Sequence, residues 1–122
     1  MNILDTTKTI NTFLESFGVS AWLEDCVPVG IEGPFCTYSL TSEAFDSEGL
    51  IQVHFYDEGT SIRRLLDLTN KLREKLGHGG LYFATETGGI WIYKGSPFAQ
   101  VEPIPNEENY KAMYINLVYR EF

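Results

Sequence analysis

Hydrophobic residues recur every three or four positions in two stretches of the chain, residues 3–17 and 60–76. This spacing places them on one face of an α-helix, so both stretches are predicted to be amphipathic helices. Gly18 follows the first stretch and GHGG follows the second, and glycine is common just after a helix end. The predicted buried positions are Ile3, Thr6, Ile10, Phe13, Leu14 and Phe17 in the first helix, and Ile62, Leu65, Leu66, Thr69, Leu72 and Leu76 in the second.

Elsewhere apolar and polar residues alternate with a period of two, which is typical of β-strands. FCTYSL and LIQVHFYD flank the charged turn AFDSEG and predict an antiparallel hairpin, while the segment around Trp22 predicts a short edge strand. Further strands are predicted from LYFATE, IWIYKG and FAQVEPI, and a long final strand from NYKAMYINLVYREF. Pro103 and Pro105 lack a backbone N–H, so they end the FAQVEPI strand or place it at an edge.

These elements predict one α+β domain over residues 1–122, with a mainly antiparallel sheet and both helices packed on one sheet face. The covered face would carry Ile51, Val53, Phe55, Met113, Ile115 and Leu117. The opposite face would carry His54, Tyr56, Tyr114, Val118, Trp91 and Tyr93. A two-layer domain leaves that second face open to water unless something covers it.

The aromatic character of the second sheet face has two explanations. Either the sheet curls and buries this face within its own monomer, or the face is a contact surface for another subunit or partner. We favour the contact surface. The candidate interface residues are Phe45, Asp46, Glu48, His54, Tyr56, Trp91, Tyr93 and Tyr114, which combine strand positions with the tip of the predicted hairpin.

Composition narrows the classes of partner. The chain has 17 acidic and 9 basic residues and a formal net charge of −8. Affinity for a phosphate backbone comes from Lys and Arg, so neither nucleic acid nor an anionic membrane is an expected partner. The N-terminal sequence lacks a signal-peptide pattern, and no apolar stretch approaches the roughly 20 residues of a membrane helix. We therefore expect an intracellular protein.

Candidate catalytic and ligand-binding motifs are weak. The glycines of GHGG follow a helix, whereas a phosphate-binding loop places them before one. His54 and His78 lack zinc-site spacing, and Cys26 and Cys36 are ten positions apart with no CxxC pair, so both cysteines are expected to be free and at least half buried. Ser96 has no nucleophile-elbow context. The sequence therefore predicts a protein that is not an enzyme and needs neither a metal nor a cofactor.

The order of elements from Pro34 to Phe122 resembles that of a bacteriophage family, the small minor tail proteins of long non-contractile-tailed phages and prophages. The resembling segments are PFCTYSL, IQVHFYDEGTSIRRLLDLTNKLREKL, WIYKGSPFAQ and YKAMYINLVYR. They look like tail terminator, or tail completion, proteins. The resemblance implies a homo-oligomeric ring, commonly a hexamer, that caps the tail tube and joins it to the head connector. It implies assembly in the host bacterial cytoplasm and a final place in the virion tail, with no cofactor.

Two other classes stay open from the sequence. One is a small acidic interaction protein, such as an immunity or antitoxin-like inhibitor, which would attract a basic partner through its charge. The other is a small-molecule-binding α+β domain with a pocket between sheet and helices. The genes that neighbour this one would separate the first of these from a tail protein.

Overall fold

A computed structural model describes residues 3–24, 33–42, 48–58, 62–102 and 110–122. These residues form two helices, α1 (Ile3–Glu15) and α2 (Arg63–Leu76). They also form six strands: β1 (Ser20–Leu23), β2 (Phe35–Ser42), β3 (Gly49–Glu58), β4 (Leu81–Thr85), β5 (Gly88–Glu102) and β6 (Tyr110–Glu121). The predicted α+β fold, with two helices on a mainly antiparallel sheet, is confirmed.

The described strands form one sheet in the order β1-β2-β3-β6-β5-β4. The predicted β2–β3 hairpin is present, and β6 lies at the centre, antiparallel to both β3 and β5. The predicted short strand around Trp22 is β1, which lies at the sheet edge and pairs with β2 in parallel. β6 has a long alternating sequence. This length fits its central position, where β6 pairs with β3 on one side and with β5 on the other.

The prediction of separate IWIYKG and FAQVEPI strands is wrong. Both belong to the single 15-residue strand β5, which pairs with β6 on either side of an irregularity between Lys94 and Ala99. Pro97 falls inside this irregularity, where its missing N–H removes no ladder hydrogen bond. β5 ends at Glu102, the residue before Pro103. Its last part pairs with β6, whereas β4 pairs with the residues 88–92.

The hydrophobic core lies between the helices and one face of the sheet. Ile51, Val53 and Phe55 are fully buried there beside Ile115 and Leu117 on β6. The helices contribute Ile10, Phe13 and Leu14 from α1 and Leu65, Leu68, Leu72 and Leu76 from α2. The predicted covered face is therefore confirmed, and burial of this apolar area supplies the main driving force for folding.

The predicted buried face of α2 is wrong at one residue. Leu66 is 47% exposed, whereas Leu68, which was not assigned to that face, is buried. Successive residues of a helix are rotated by about 100°, so Leu66 points away from the line through Leu65, Thr69 and Leu72. Leu68 lies within about 60° of the same line and reaches the core.

Polar contacts attach both helices to the sheet. The Tyr38 hydroxyl of β2 donates to Asn11 Oδ1 of α1 at 2.8 Å. Arg64 Nη1 of α2 lies 3.4 Å from Oδ1 of the buried Asp57 on β3. These contacts fix the axial position of each helix, which apolar packing alone specifies less strongly.

Cys36 is a buried free thiol, as expected, and burial raises its pKa to about 12. A thiol this hard to ionise is a poor nucleophile, so Cys36 belongs to the packed core. Cys26 lies outside the described residues. No described helix is both long and apolar enough to cross a membrane.

The loop after α2 depends on glycine. Gly77 and Gly80 have φ angles of +59° and +79°, and their N–H groups bond the carbonyl oxygens of Arg73 and Leu76, so the loop closes the helix as predicted. A Cβ atom at Gly80 would collide with the carbonyl oxygen of Ile92, whereas one at Gly79 would meet nothing within 4 Å.

We therefore expect Gly80→Ala to lower the free energy of unfolding by about 1–3 kcal/mol, from left-handed strain and the backbone clash. Gly79→Ala is the matched control and should change it by no more than about 0.5 kcal/mol. Urea unfolding of both variants checks this. Equal midpoints would show that the loop does not hold Gly80 against β5.

Candidate interface on the second sheet face

Strand register brings the predicted aromatic positions together on the face that the helices do not cover. His54 pairs with Tyr114 across β3 and β6, and Tyr93 pairs with Val118 across β5 and β6. Tyr56 follows two positions after His54 and projects from the same face. The prediction that these residues share one face is confirmed. Both described helices pack on the opposite face of the sheet.

One aromatic cluster crosses β2, β3 and β6. The Phe35 and Tyr56 rings are stacked with centroids 5.1 Å apart, and the His54 and Tyr114 rings are 4.9 Å apart. His54 also lies 6.2 Å from Tyr56, so the four rings form a continuous row. Their edges and polar tips remain accessible, since all four side chains are only half buried.

A second cluster lies toward the β4 edge. Trp91 and Tyr93 have ring centroids 5.7 Å apart, and Tyr82 and Phe122 have centroids 6.2 Å apart. Tyr82 is the register partner of Trp91 and is 60% exposed, while Phe122 is 59% exposed. Trp91 Nε1 donates to the carbonyl oxygen of Gly79 at 2.6 Å, which fixes the indole against the α2–β4 loop.

Three members of this surface were not predicted from the sequence: Phe35, Tyr82 and Phe122. Phe35 alternates with Cys36 in FCTYSL, but nothing in the sequence gives the β2–β3 register that stacks Phe35 on Tyr56. Phe122 reaches the surface because its N–H and carbonyl pair with the backbone of Gly89. That pairing continues the backbone hydrogen bonding between β5 and β6 one residue beyond Glu121.

The hairpin tip is only partly described. Phe45 and Asp46 lie outside the described residues. Glu48 is exposed and forms a side-chain hydrogen bond with Tyr93, which places it at the border of the second cluster. Burial, the hydrogen bond to Glu48 and the charge of that carboxylate raise the pKa of Tyr93 to about 12.

This shift gives a titration prediction. We expect Glu48→Gln to lower the pKa of Tyr93 part of the way from about 12 toward its ordinary value of 10.0, because burial remains the largest cause. Because its pKa is raised, the Tyr93 phenol holds its proton more strongly in the folded state than in the unfolded state. Its contribution to stability is therefore present below pH 10 and lost as the pH rises through about 12.

NMR titration of the Tyr93 ring resonances measures the pKa directly. Glu86→Gln, in the exposed β4–β5 turn, removes one carboxylate elsewhere and is the control. An unchanged Tyr93 pKa in Glu48→Gln would contradict the contact between the tip and β5.

The half-burial of this face bears on the two explanations for its aromatic side chains. Tyr56, Tyr93 and Tyr114 are each covered in part by a neighbouring ring, yet none is buried as the core residues are, and Trp91 stays 38% exposed. The face is thus partly protected by its own side chains and still presents ring edges and hydroxyl groups. Aromatic residues with polar tips are enriched at protein–protein contacts for this reason.

The exposed groups of this surface are rings, phenol hydroxyls, one imidazole, amide side chains and the charged side chains of Glu48 and Arg120. Within the described residues, no group of three or more His, Cys, Asp or Glu side chains is arranged to hold a metal ion.

Comparisons with known proteins give the fold and no function. No family model and no curated protein matches this chain. Five chains of solved structures match it. One of them, which bears only a sequence identifier, has a TM-score of 0.64 and 12% sequence identity, and the match covers 98% of this chain and 92% of that chain. At this identity the likeness shows that the two chains share a fold.

Proposed function

We propose that this protein is a ring-forming tail terminator of a bacteriophage or prophage, which caps the tail tube and joins it to the head connector. The second sheet face carries the proposal. Its two aromatic clusters lie on the side of the sheet that the described helices leave open, and they are the contact surface between neighbouring subunits of the ring.

The exposed aromatic side chains of this surface suit a subunit contact. A stable protein interface buries about 800 Å² on each partner, with a few aromatic residues as anchors. Strands β2, β3, β4, β5 and β6 contribute rings to the face, and Tyr82, Trp91 and Phe122 are exposed large side chains at its border. The second face therefore offers aromatic anchors for such a contact.

The charge of the chain fits the same function. The ring surrounds the path of the DNA, and a lumen that DNA slides through must not bind phosphate. The net charge of −8 provides an acidic surface for that lumen. The ring forms on the tail tube, where the local concentration of subunits is high, so the free protein needs only weak self-affinity.

Deletion of the gene from its phage tests this function. We expect tails of irregular length that fail to join heads, and we expect a plasmid copy of the wild-type gene to restore uniform, joined tails. Electron microscopy of the particles measures both properties. Tails of normal length that join heads without the protein would overturn the proposal, as would neighbouring genes for a toxin instead of tail components.

A further inference from the structure

A pocket separate from the second sheet face lies between the end of α2 and β5. We call it the α2–β5 pocket, and its volume is about 460 Å³. It is lined by Arg73, Leu76, Gly77, His78, Lys94 and Phe98. Ligand-binding pockets in proteins have volumes of about 300–1,000 Å³, so this pocket is large enough to hold a ligand or several side chains.

The pocket is cationic in a strongly acidic protein. Arg73 and Lys94 contribute two cationic side chains, and His78 adds a further hydrogen-bonding group. The Arg73 guanidinium lies 5.8 Å from the centre of the Phe98 ring, so charge and aromatic surface occur side by side. Leu76 supplies an apolar wall. A ligand that matches this lining has carboxylates next to an apolar or aromatic group.

The C-terminal end of α2 repels an anionic ligand only weakly. Carbonyl groups at a helix C-terminus repel anions, but the carbonyl oxygens of Arg73 and Leu76 accept the N–H groups of Gly77 and Gly80. Two full cationic charges outweigh what remains of the helix dipole, which amounts to about half a charge.

We propose that the α2–β5 pocket binds the acidic segment 43–48 of a second copy of this chain. That segment, EAFDSE, has three carboxylates and one phenylalanine, which match the two cations and the apolar wall. The inference rests on the self-association in the proposed function and adds a second contact between the subunits.

The positions of the two partners favour contact between different copies. Glu48, the last residue of the segment, bonds Tyr93 on the second sheet face. Lys94 is the next residue of β5 and pairs with the buried Leu117, so it projects from the helix-covered face. Glu48 at one face and a pocket on the other allow a head-to-tail contact, and repetition of such a contact closes a ring when the rotation allows.

A peptide titration tests the pocket directly. The peptide SEAFDSEG, residues 42–49, is added to the full-length labelled protein and followed by NMR. We expect shifts of the amide signals of Gly77, His78 and Lys94. Arg73→Glu and Lys94→Glu should each weaken binding by about 10-fold or more. Lys75→Glu is the matched control, since Lys75 is an exposed α2 residue outside the pocket lining, and should bind nearly as the wild type does.

A charge exchange tests the contact between whole chains. Lys94→Glu and Asp46→Lys should each lower self-association, and an equimolar mixture of the two variants should restore it, as measured by sedimentation equilibrium. A mixture that associates no better than either variant alone overturns the inference, as does a peptide that shifts no pocket residue. Equal binding of phenylacetate and the peptide overturns it as well, and indicates a small-molecule site.

The two proposals fail separately. If tails require the protein but the peptide leaves the pocket signals unchanged, only the pocket assignment is wrong. If the peptide binds and the charge exchange restores association, yet tails form normally without the gene, the tail function is wrong and the pocket contact stands.

Discussion

Leu65→Ala is expected to lower the free energy of unfolding by about 2–5 kcal/mol. Leu65 is 0% exposed and belongs to the core cluster that joins α2 to β3 and β6. The substitution removes the transfer free energy of the lost methyl and methylene groups and leaves a cavity that the packed strands beneath it fill only in part.

Leu66→Ala is the matched control. It makes the same chemical change one position later in the same helix, where the side chain is 47% exposed. Alanine and leucine have similar helix propensities, so this variant should stay within about 0.5 kcal/mol of the wild type. Urea unfolding followed by circular dichroism measures both. Equal destabilisation by the two substitutions would show that α2 is rotated from the face described above.

The same two residues show how far the sequence alone could go for the helices. Spacing identified α2 and most of its buried face, because the 3.6-residue period is imposed by backbone geometry. It did not separate Leu66 from Leu68, since both are leucines beside the apolar stripe. Only the position of the helix axis over the sheet decides which of them is covered.

β5 shows a different limit. Gly95 and Pro97 have the composition of a turn, so the sequence predicted two strands. The long neighbour β6 overrides that local preference, because it offers pairing partners on both sides of the irregularity. Tertiary pairing is a non-local property, and a window of ten residues does not contain it.

For the candidate interface, alternation was sufficient to place His54, Tyr56, Tyr93 and Tyr114 on one face, since a strand allows only two directions for its side chains. It was not sufficient to show which rings touch, because contact depends on register between strands distant in sequence. The α2–β5 pocket was missed for the same reason. Arg73 and Lys94 are separated by a loop and a strand, and no motif marks their approach.

The second large effect is expected on assembly. Tyr114 lies at the centre of the second sheet face, with its ring 4.9 Å from that of His54. Tyr114→Asp replaces this anchor with a carboxylate. Water solvates the carboxylate well in the free protein, but in the ring contact it would be buried without a partner. Burying an unpaired charge costs several kcal/mol, so we expect self-association and tail completion to fall by about 100-fold or more.

The monomer should tolerate this change. Loss of one aromatic pair costs about 0.5–1.5 kcal/mol, which leaves a domain of this size folded. Asn70→Asp, on the exposed side of α2, adds the same charge away from the face and controls for net charge. Tyr114→Phe retains the ring and should assemble nearly as the wild type does.

Thermal unfolding of the monomer and complementation of the deleted gene, measured together, distinguish the roles of Tyr114. A folded Tyr114→Asp variant that fails to complete tails, beside an active Asn70→Asp, is the expected result. An unfolded variant would mean that the second face belongs to the core of the monomer, as in the explanation by a curled sheet. A folded Tyr114→Asp variant that completes tails would exclude Tyr114 from the subunit contact. The α2–β5 pocket would then hold the subunits together. In that case Lys94→Glu alone should abolish tail completion.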